Sequence, residues 1–178
     1  MSLDALRQSL PAYARDLDLS LQTLLDETLL TDQQKWGAIV ASGHAVGAPG
    51  AVQAIEVAAI AAGLSAPALS AAKAAAALMA MNNIYYRALH LMQNAEYRTL
   101  PARLRMNIKS NPGVAKTDFE LWCLAVSAIN GCGACLDAHE QELRTRGVPA
   151  PAIQAALRIG AVIGAISHVV QAESALAV

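Results

Sequence analysis

"GLSAPALSAAKAAAALMAM" (residues 63–81) and "GVPAPAIQAALRIGAVIGA" (residues 147–165) begin alike, and that likeness decides the fold. Gly63/Gly147, Ala66/Ala150, Pro67/Pro151, Ala68/Ala152, Ala71/Ala155, Ala72/Ala156 and Ala77/Ala161 coincide, and the aliphatic pairs Leu69/Ile153 and Leu78/Val162 follow. Alanine matches are cheap in an alanine-rich chain, but the shared G-x-x-A-P-A-aliphatic opening is not. Upstream of each copy stands a Trp-bearing apolar segment, a Gly-bearing break and a second amphipathic segment: "KWGAIVASGHAVGAPGAVQAIEVAAIAAG" and "LWCLAVSAINGCGACLDAHEQELRTRG". The repeat predicts an all-α protein of two homologous helical halves packed as one unit. Residues 1–100 would form a cysteine-free N-terminal half, 101–117 a linker, and 118–178 a C-terminal half.

Composition agrees with helices. Of 178 residues, 55% are hydrophobic and only 4% aromatic, so the apolar content is mostly alanine and small aliphatics. Alanine has the highest helix propensity, and β-branched or aromatic runs of strand length are nearly absent. Punctuation fits as well. Ser2 can cap "LDALRQSL", Pro11 can start "PAYARDLDLSLQTLLDETL", and Thr31 with Asp32 can cap "QQKWGAIVASGHAV". "NAEYRTLPARLRMNIKSNPGVAKTD" is polar and proline-bearing and reads as irregular, with at most a short helix.

A net charge of -1 gives no electrostatic reason to expect nucleic acid or an anionic membrane as partner. Neither apolar stretch, Ala54 to Met81 or Ile153 to Ala172, holds about 18 uninterrupted apolar residues, so core or interface helices are expected rather than membrane spans. The N-terminus lacks the basic-then-apolar order of a secretion signal, which points to a reducing cytoplasm. There a CxxC pair is more often catalytic or metal-binding than a permanent staple.

That pair lies in "NGCGACLDAHEQ" (residues 130–141). Asn130-Gly131 reads as a helix stop, which puts Cys132 at the start of the next helix, where the dipole favours a thiolate. Cys132 and Cys135 are three apart, Cys135 and His139 four apart, so all three share one helix face. His139 can take the Cys135 proton and return one to a leaving group, which makes Cys135 the attacking thiol and Cys132 its resolving partner. If the chain folds back at 130–132, Glu120 returns to the level of His139 to Glu142 and can orient the imidazole. At the aligned positions the first half has Ala48 and Ala51. The scaffold therefore does not require thiols.

Other readings stay open on these residues. Zinc would need a fourth ligand beside Cys132, Cys135 and His139, and His44, His90, His168 and Cys123 stand in no paired spacing. Cys123, inside an apolar run, reads as an inert buried thiol, and Asp137 as a solvated helix residue. Asn82-Asn83 and Tyr85-Tyr86 read as helix-contact polar groups, and Gly160 with Gly164 as a close helix approach. A non-catalytic thiol sensor or zinc-binding adaptor would fit the same cluster.

"DFELWCLAVSAINGCGACLDAHEQELRTRGV", with "MNNIYYRALHL" and "LPAYARDLDLSLQTLL", resembles the AhpD alkylhydroperoxidase family of the carboxymuconolactone decarboxylase-like superfamily over essentially the whole chain. The resemblance implies an antioxidant peroxidase that assembles as a homotrimer and binds no resident cofactor or metal; the alternative within the same superfamily is a carboxymuconolactone decarboxylase-like lyase, which should not depend on both thiols. It implies that Cys135 becomes the sulfenic acid, that Cys132 condenses with it to a disulfide, and that Glu120 and His139 relay protons. Lipoamide on a lipoylated dehydrogenase-complex subunit would supply electrons, which can pass to the peroxiredoxin AhpC through a mixed disulfide at Cys135. The family carries a histidine immediately before the second cysteine, whereas this chain has Ala134.

Overall fold

The computed structural model describes residues 1–176, and its elements are all helical among them. Ten α-helices run α1 Leu3–Ser9, α2 Arg15–Leu25, α3 Asp32–Val46, α4 Pro49–Ala61, α5 Ala66–Leu91, α6 Glu96–Thr99, α7 Asn107–Ser110, α8 Lys116–Ile129, α9 Gly133–Thr145 and α10 Ala150–Leu176. Three of them repeat. The first residues of α3, α4 and α5 and of α8, α9 and α10 are separated by the same 84 positions that separate Gly63 from Gly147.

Local chemistry sets the boundaries. Ser2 accepts from the Ala5 amide, and Thr31 forms a reciprocal capping box with Gln34, so α1 and α3 start where their polar caps stand. Pro67 and Pro151 sit in the first turns of α5 and α10, where a missing N–H costs nothing. One expected boundary moves. Pro11 opens a single 3-10 turn, Ala12–Ala14, and α2 begins only at Arg15. It also ends early, because the Glu27 carboxylate accepts from the Thr28 and Leu29 amides and turns the chain.

The core sits around α3 and α8, which pack on each other and on both long helices, α5 and α10. The second helix of each half packs first on its own hairpin partner, α9 on α8 and α4 on α3, and then leans across, α9 onto α5 and α4 onto α10. Part of the surface that α9 turns inward is thus shared with the other half. Small residues permit this closeness. A Cβ on Gly160 would stand 2.8 Å from the Ala125 carbonyl oxygen of α8, and one on Gly37 would enter the Trp122 ring. Trp122 is fully buried and donates its Nε1–H to the Gln34 carbonyl at 3.0 Å.

Among the described residues only α10 is long and apolar enough to cross a membrane on length and composition, and half of its most apolar stretch is buried inside the chain. It packs on α2, α3, α4 and α8, burying Ile153, Ile159, Ile163 and Ile166. The connection from α5 to α8 holds only the one-turn helices α6 and α7, and Arg103 there adopts φ 52°.

Candidate active site

The site begins where α8 stops. Gly131 adopts φ 64°, its amide donates to the Ala128 carbonyl, and the Cys132 amide donates to the Ser127 carbonyl at 3.1 Å. That double bond is the Schellman termination, which needs a left-handed residue and so a glycine. The chain then reverses. The Cys132 carbonyl accepts from Cys135 and Leu136, making Cys132 the residue that caps α9 and placing Cys135 in its first turn. The two sulfurs are bonded to each other across a Cα–Cα separation of 5.3 Å.

The reversal folds α8 and α9 into a hairpin and brings Glu120 beside His139. The Glu120 Oε2 lies 2.6 Å from the His139 Nδ1, and the two side chains are 1% and 6% exposed. Burial pushes the Glu120 carboxyl up, but the His139 hydrogen bond and the charges of His139, Lys109 and Lys116 outweigh it and hold the group below the usual carboxylate range. Glu120 is thus an anion aimed at the imidazole. Its other oxygen, Oε1, is buried with no hydrogen-bond partner.

Helix α5 supplies the opposite wall. The His139 Nε2 lies 3.3 Å from the Met79 Sδ. Asn83 donates to the Ser127 Oγ at 3.0 Å and accepts from the Asn130 Nδ2 at 2.9 Å, while Arg87 donates to the Asn130 carbonyl. These bonds clamp the α8–α9 elbow to α5, so the cysteine turn is fixed from outside its own half. Asn83 fulfils the helix-contact reading; Asn82 instead lines the cavity, with its Oδ1 unpartnered and its Nδ2 at 3.1 Å from the Met106 Sδ.

That cavity, about 250 Å³, is bounded by Met79, Asn82 and Tyr86 of α5, Met106 and Lys109 from the connection, and Ala134, Cys135, Ala138 and His139 of α9. Cys135 lines it and is 7% exposed, whereas Cys132 is 0% exposed and does not. Sequence spacing could not find Met79, Met106 or Lys109, which reach the site only through tertiary packing. Their side chains bear no local pattern.

The remaining sequence candidates lie elsewhere. Cys123 is a free buried thiol whose proton is held far above the usual thiol range by burial and then by the nearby Glu120 charge. His44 pairs with Glu56 at 2.6 Å, and Glu56 also with Lys73 at 2.7 Å, on the outer side of the first half. His90, His168 and Asp137 are exposed. Among the described residues no group of three or more His, Cys, Asp and Glu could hold a metal ion. The repeat partners of Glu120, Cys132, Cys135 and His139 are Trp36, Ala48, Ala51 and Ile55. One half keeps the chemistry; the other fills the same space with carbon.

A bonded CxxC at a helix start, with a buried carboxylate–imidazole pair and a cavity reaching one of the sulfurs, is an arrangement chemically able to carry thiol-redox turnover on an all-α fold. The carboxymuconolactone decarboxylase family pattern matches residues 95–177. "Alkyl hydroperoxide reductase AhpD" of Hyphomonas neptunium is 59% identical over 177 residues, spanning 99% of this chain and 98% of that one. The protein of the same name from Maricaulis maris is 59% identical over 174 residues, spanning 98% of this chain and all of its own length. That from Caulobacter vibrioides is 53% identical over 176 residues, spanning 99% and 96% of the two chains. The chain belongs to the AhpD family of alkyl hydroperoxide reductases. Alkyl hydroperoxide reduction is supported at the level of that family.

Proposed function

We propose that this protein reduces hydroperoxides through Cys135 and Cys132, with lipoamide as the reducing co-substrate. The Cys135 thiolate attacks the terminal peroxide oxygen, the O–O bond breaks, and the alcohol leaves after taking a proton from His139. Cys135 is then the sulfenic acid. The Cys132 thiolate attacks its sulfur, water departs, and the disulfide closes. Dihydrolipoamide on a lipoylated dehydrogenase-complex subunit reopens it, so one hydroperoxide and one dithiol yield alcohol, water and the lipoamide disulfide. Glu120 stabilises the imidazolium that His139 becomes between the two proton transfers.

The observation that carries this reading is the asymmetry of the two sulfurs: Cys135 faces the cavity beside His139, while Cys132 is sealed behind it. The first step needs the sulfur that a peroxide can reach. In the same reading the protein works in the cytoplasm as a homotrimer, without a resident cofactor or metal, and passes electrons to AhpC through a mixed disulfide at Cys135.

Hydroperoxide consumption with dihydrolipoamide tests it. Cys135→Ser should abolish turnover, and Cys132→Ser should stop after one equivalent with a trappable sulfenic acid. Full turnover by Cys135→Ser would overturn the reading. Turnover of a lactone decarboxylation substrate by the double serine variant would favour the lyase instead.

A further inference from the structure

Glu120 leaves one oxygen unanswered. Its Oε1 is fully buried, has no hydrogen-bond partner, and faces the side from which Lys109 enters. The Lys109 Nζ stands 3.9 Å from that oxygen, and its side chain lines the cavity that Cys135 and His139 also line. A buried carboxylate oxygen without a donor is costly, so a flexible cation within one rotamer change of it has a reason to be there. Lys109 comes from α7, a one-turn helix tied to α5 through the Met106–Asn82 contact. On α9 the cavity-lining position between the cysteines is Ala134, which brings no charge, and His139 is engaged with the other Glu120 oxygen.

We propose that Lys109 is a positioning residue of the thiol site: its ammonium group holds Glu120 as an anion from the solvent side and lends positive potential to the cavity in which the Cys135 thiolate forms. The other charged or titratable groups around this point are His139 of α9, Lys116 and Cys123 of α8, Tyr86 of α5 and the two site cysteines. Of the cations, only Lys109 reaches the cavity from the connection, and it does so with 43% of its side chain exposed. The site is therefore completed by a segment outside both helical repeats.

The sign of the effect follows from electrostatics. Removing a cation raises the proton affinity of every acid–base group that faces it, so thiolate formation must move to higher pH. A unit charge acting over about 8 Å through a partly wet site is worth about 0.5 to 1 pH unit.

Two readouts test this, and only the second rests on the peroxidase reading. Reduced protein is alkylated with iodoacetamide across pH, and the modification at Cys135 is followed by mass spectrometry. Lys109→Met should shift the midpoint upward by about 0.5 to 1 pH unit, Lys109→Glu further, and Lys109→Arg should restore it, with the differences shrinking in 1 M salt. In hydroperoxide turnover the acid limb of kcat/KM should move the same way. Superimposable profiles for wild type and Lys109→Met, in variants with unchanged melting, would overturn the inference, as would Lys109→Arg behaving like Lys109→Met. The expected alkylation shifts among the Lys109 variants, together with a wild-type protein that consumes no hydroperoxide, would retire the functional reading and leave the role of Lys109 standing.

Discussion

Replacing Glu120 with glutamine separates the charge of the Glu120–His139 pair from its shape. The 2.6 Å contact to the His139 Nδ1 is a hydrogen bond between a carboxylate and a ring that, in the proposed reaction, becomes cationic when it takes the thiol proton. Such a bond contributes about 1.5 to 3 kcal/mol, about twice a neutral one, so an amide acceptor keeps the ring oriented and loses about half of that. Adding the lost Coulomb attraction across a buried pair, the rate of oxidation of reduced protein by an alkyl hydroperoxide should fall about 10- to 100-fold. Glu120→Leu also removes the orienting acceptor and should fall further. The measurement is single-turnover disulfide formation by stopped flow. A Glu120→Gln variant within about threefold of wild type, with the same pH profile, would refute the charge argument.

The same substitution has a thermodynamic signature. The folded carboxyl of Glu120 lies below its ordinary value of 4.5, so ionisation favours the folded state. That stability is present above the unfolded value and is lost as pH falls through the folded one. Glu120→Gln should therefore melt somewhat lower than wild type at pH 7, and the gap should close on acidification below about pH 4.5. A gap that widens with acid would contradict the sign.

Gly160→Ala should lower stability by about 1 to 3 kcal/mol in thermal or urea unfolding, because the new methyl group meets the Ala125 carbonyl oxygen at 2.8 Å and α8 and α10 must part. Asn83→Ala leaves Ser127 and Asn130 without their α5 partner and should cost about 2 kcal/mol, with faster amide exchange at residues 130 to 135 than elsewhere in the core. Native reduced protein treated with a thiol alkylator at pH 8 should carry label at Cys135, which lines the cavity, and none at Cys123, since that thiol is buried and its thiolate disfavoured.

Much of this was legible in order along the chain. The G-x-x-A-P-A openings reported the repeat, and Gly47 and Gly131 take positive φ at the Gly-bearing breaks. The register of Cys132, Cys135 and His139 followed from helical geometry alone, and the hairpin argument brought Glu120 to the level of His139. What could not be read was the far wall. Met79 lies 60 positions from His139 and Asn83 lies 47 from Asn130, and no periodicity within either segment announces the pairing.

By itself, then, the sequence determined the helices, their duplication and the half that carries thiols, because propensity, capping and spacing act over a few residues. Only tertiary structure decided which sulfur a substrate can meet and which groups surround it. Burial depends on which helices lean together: α9 folds back on α8 and reaches α5 of the other half, Cys132 is buried while Cys135 lines a cavity between α5 and α9, and the connection brings Lys109 to 3.9 Å from the Glu120 Oε1.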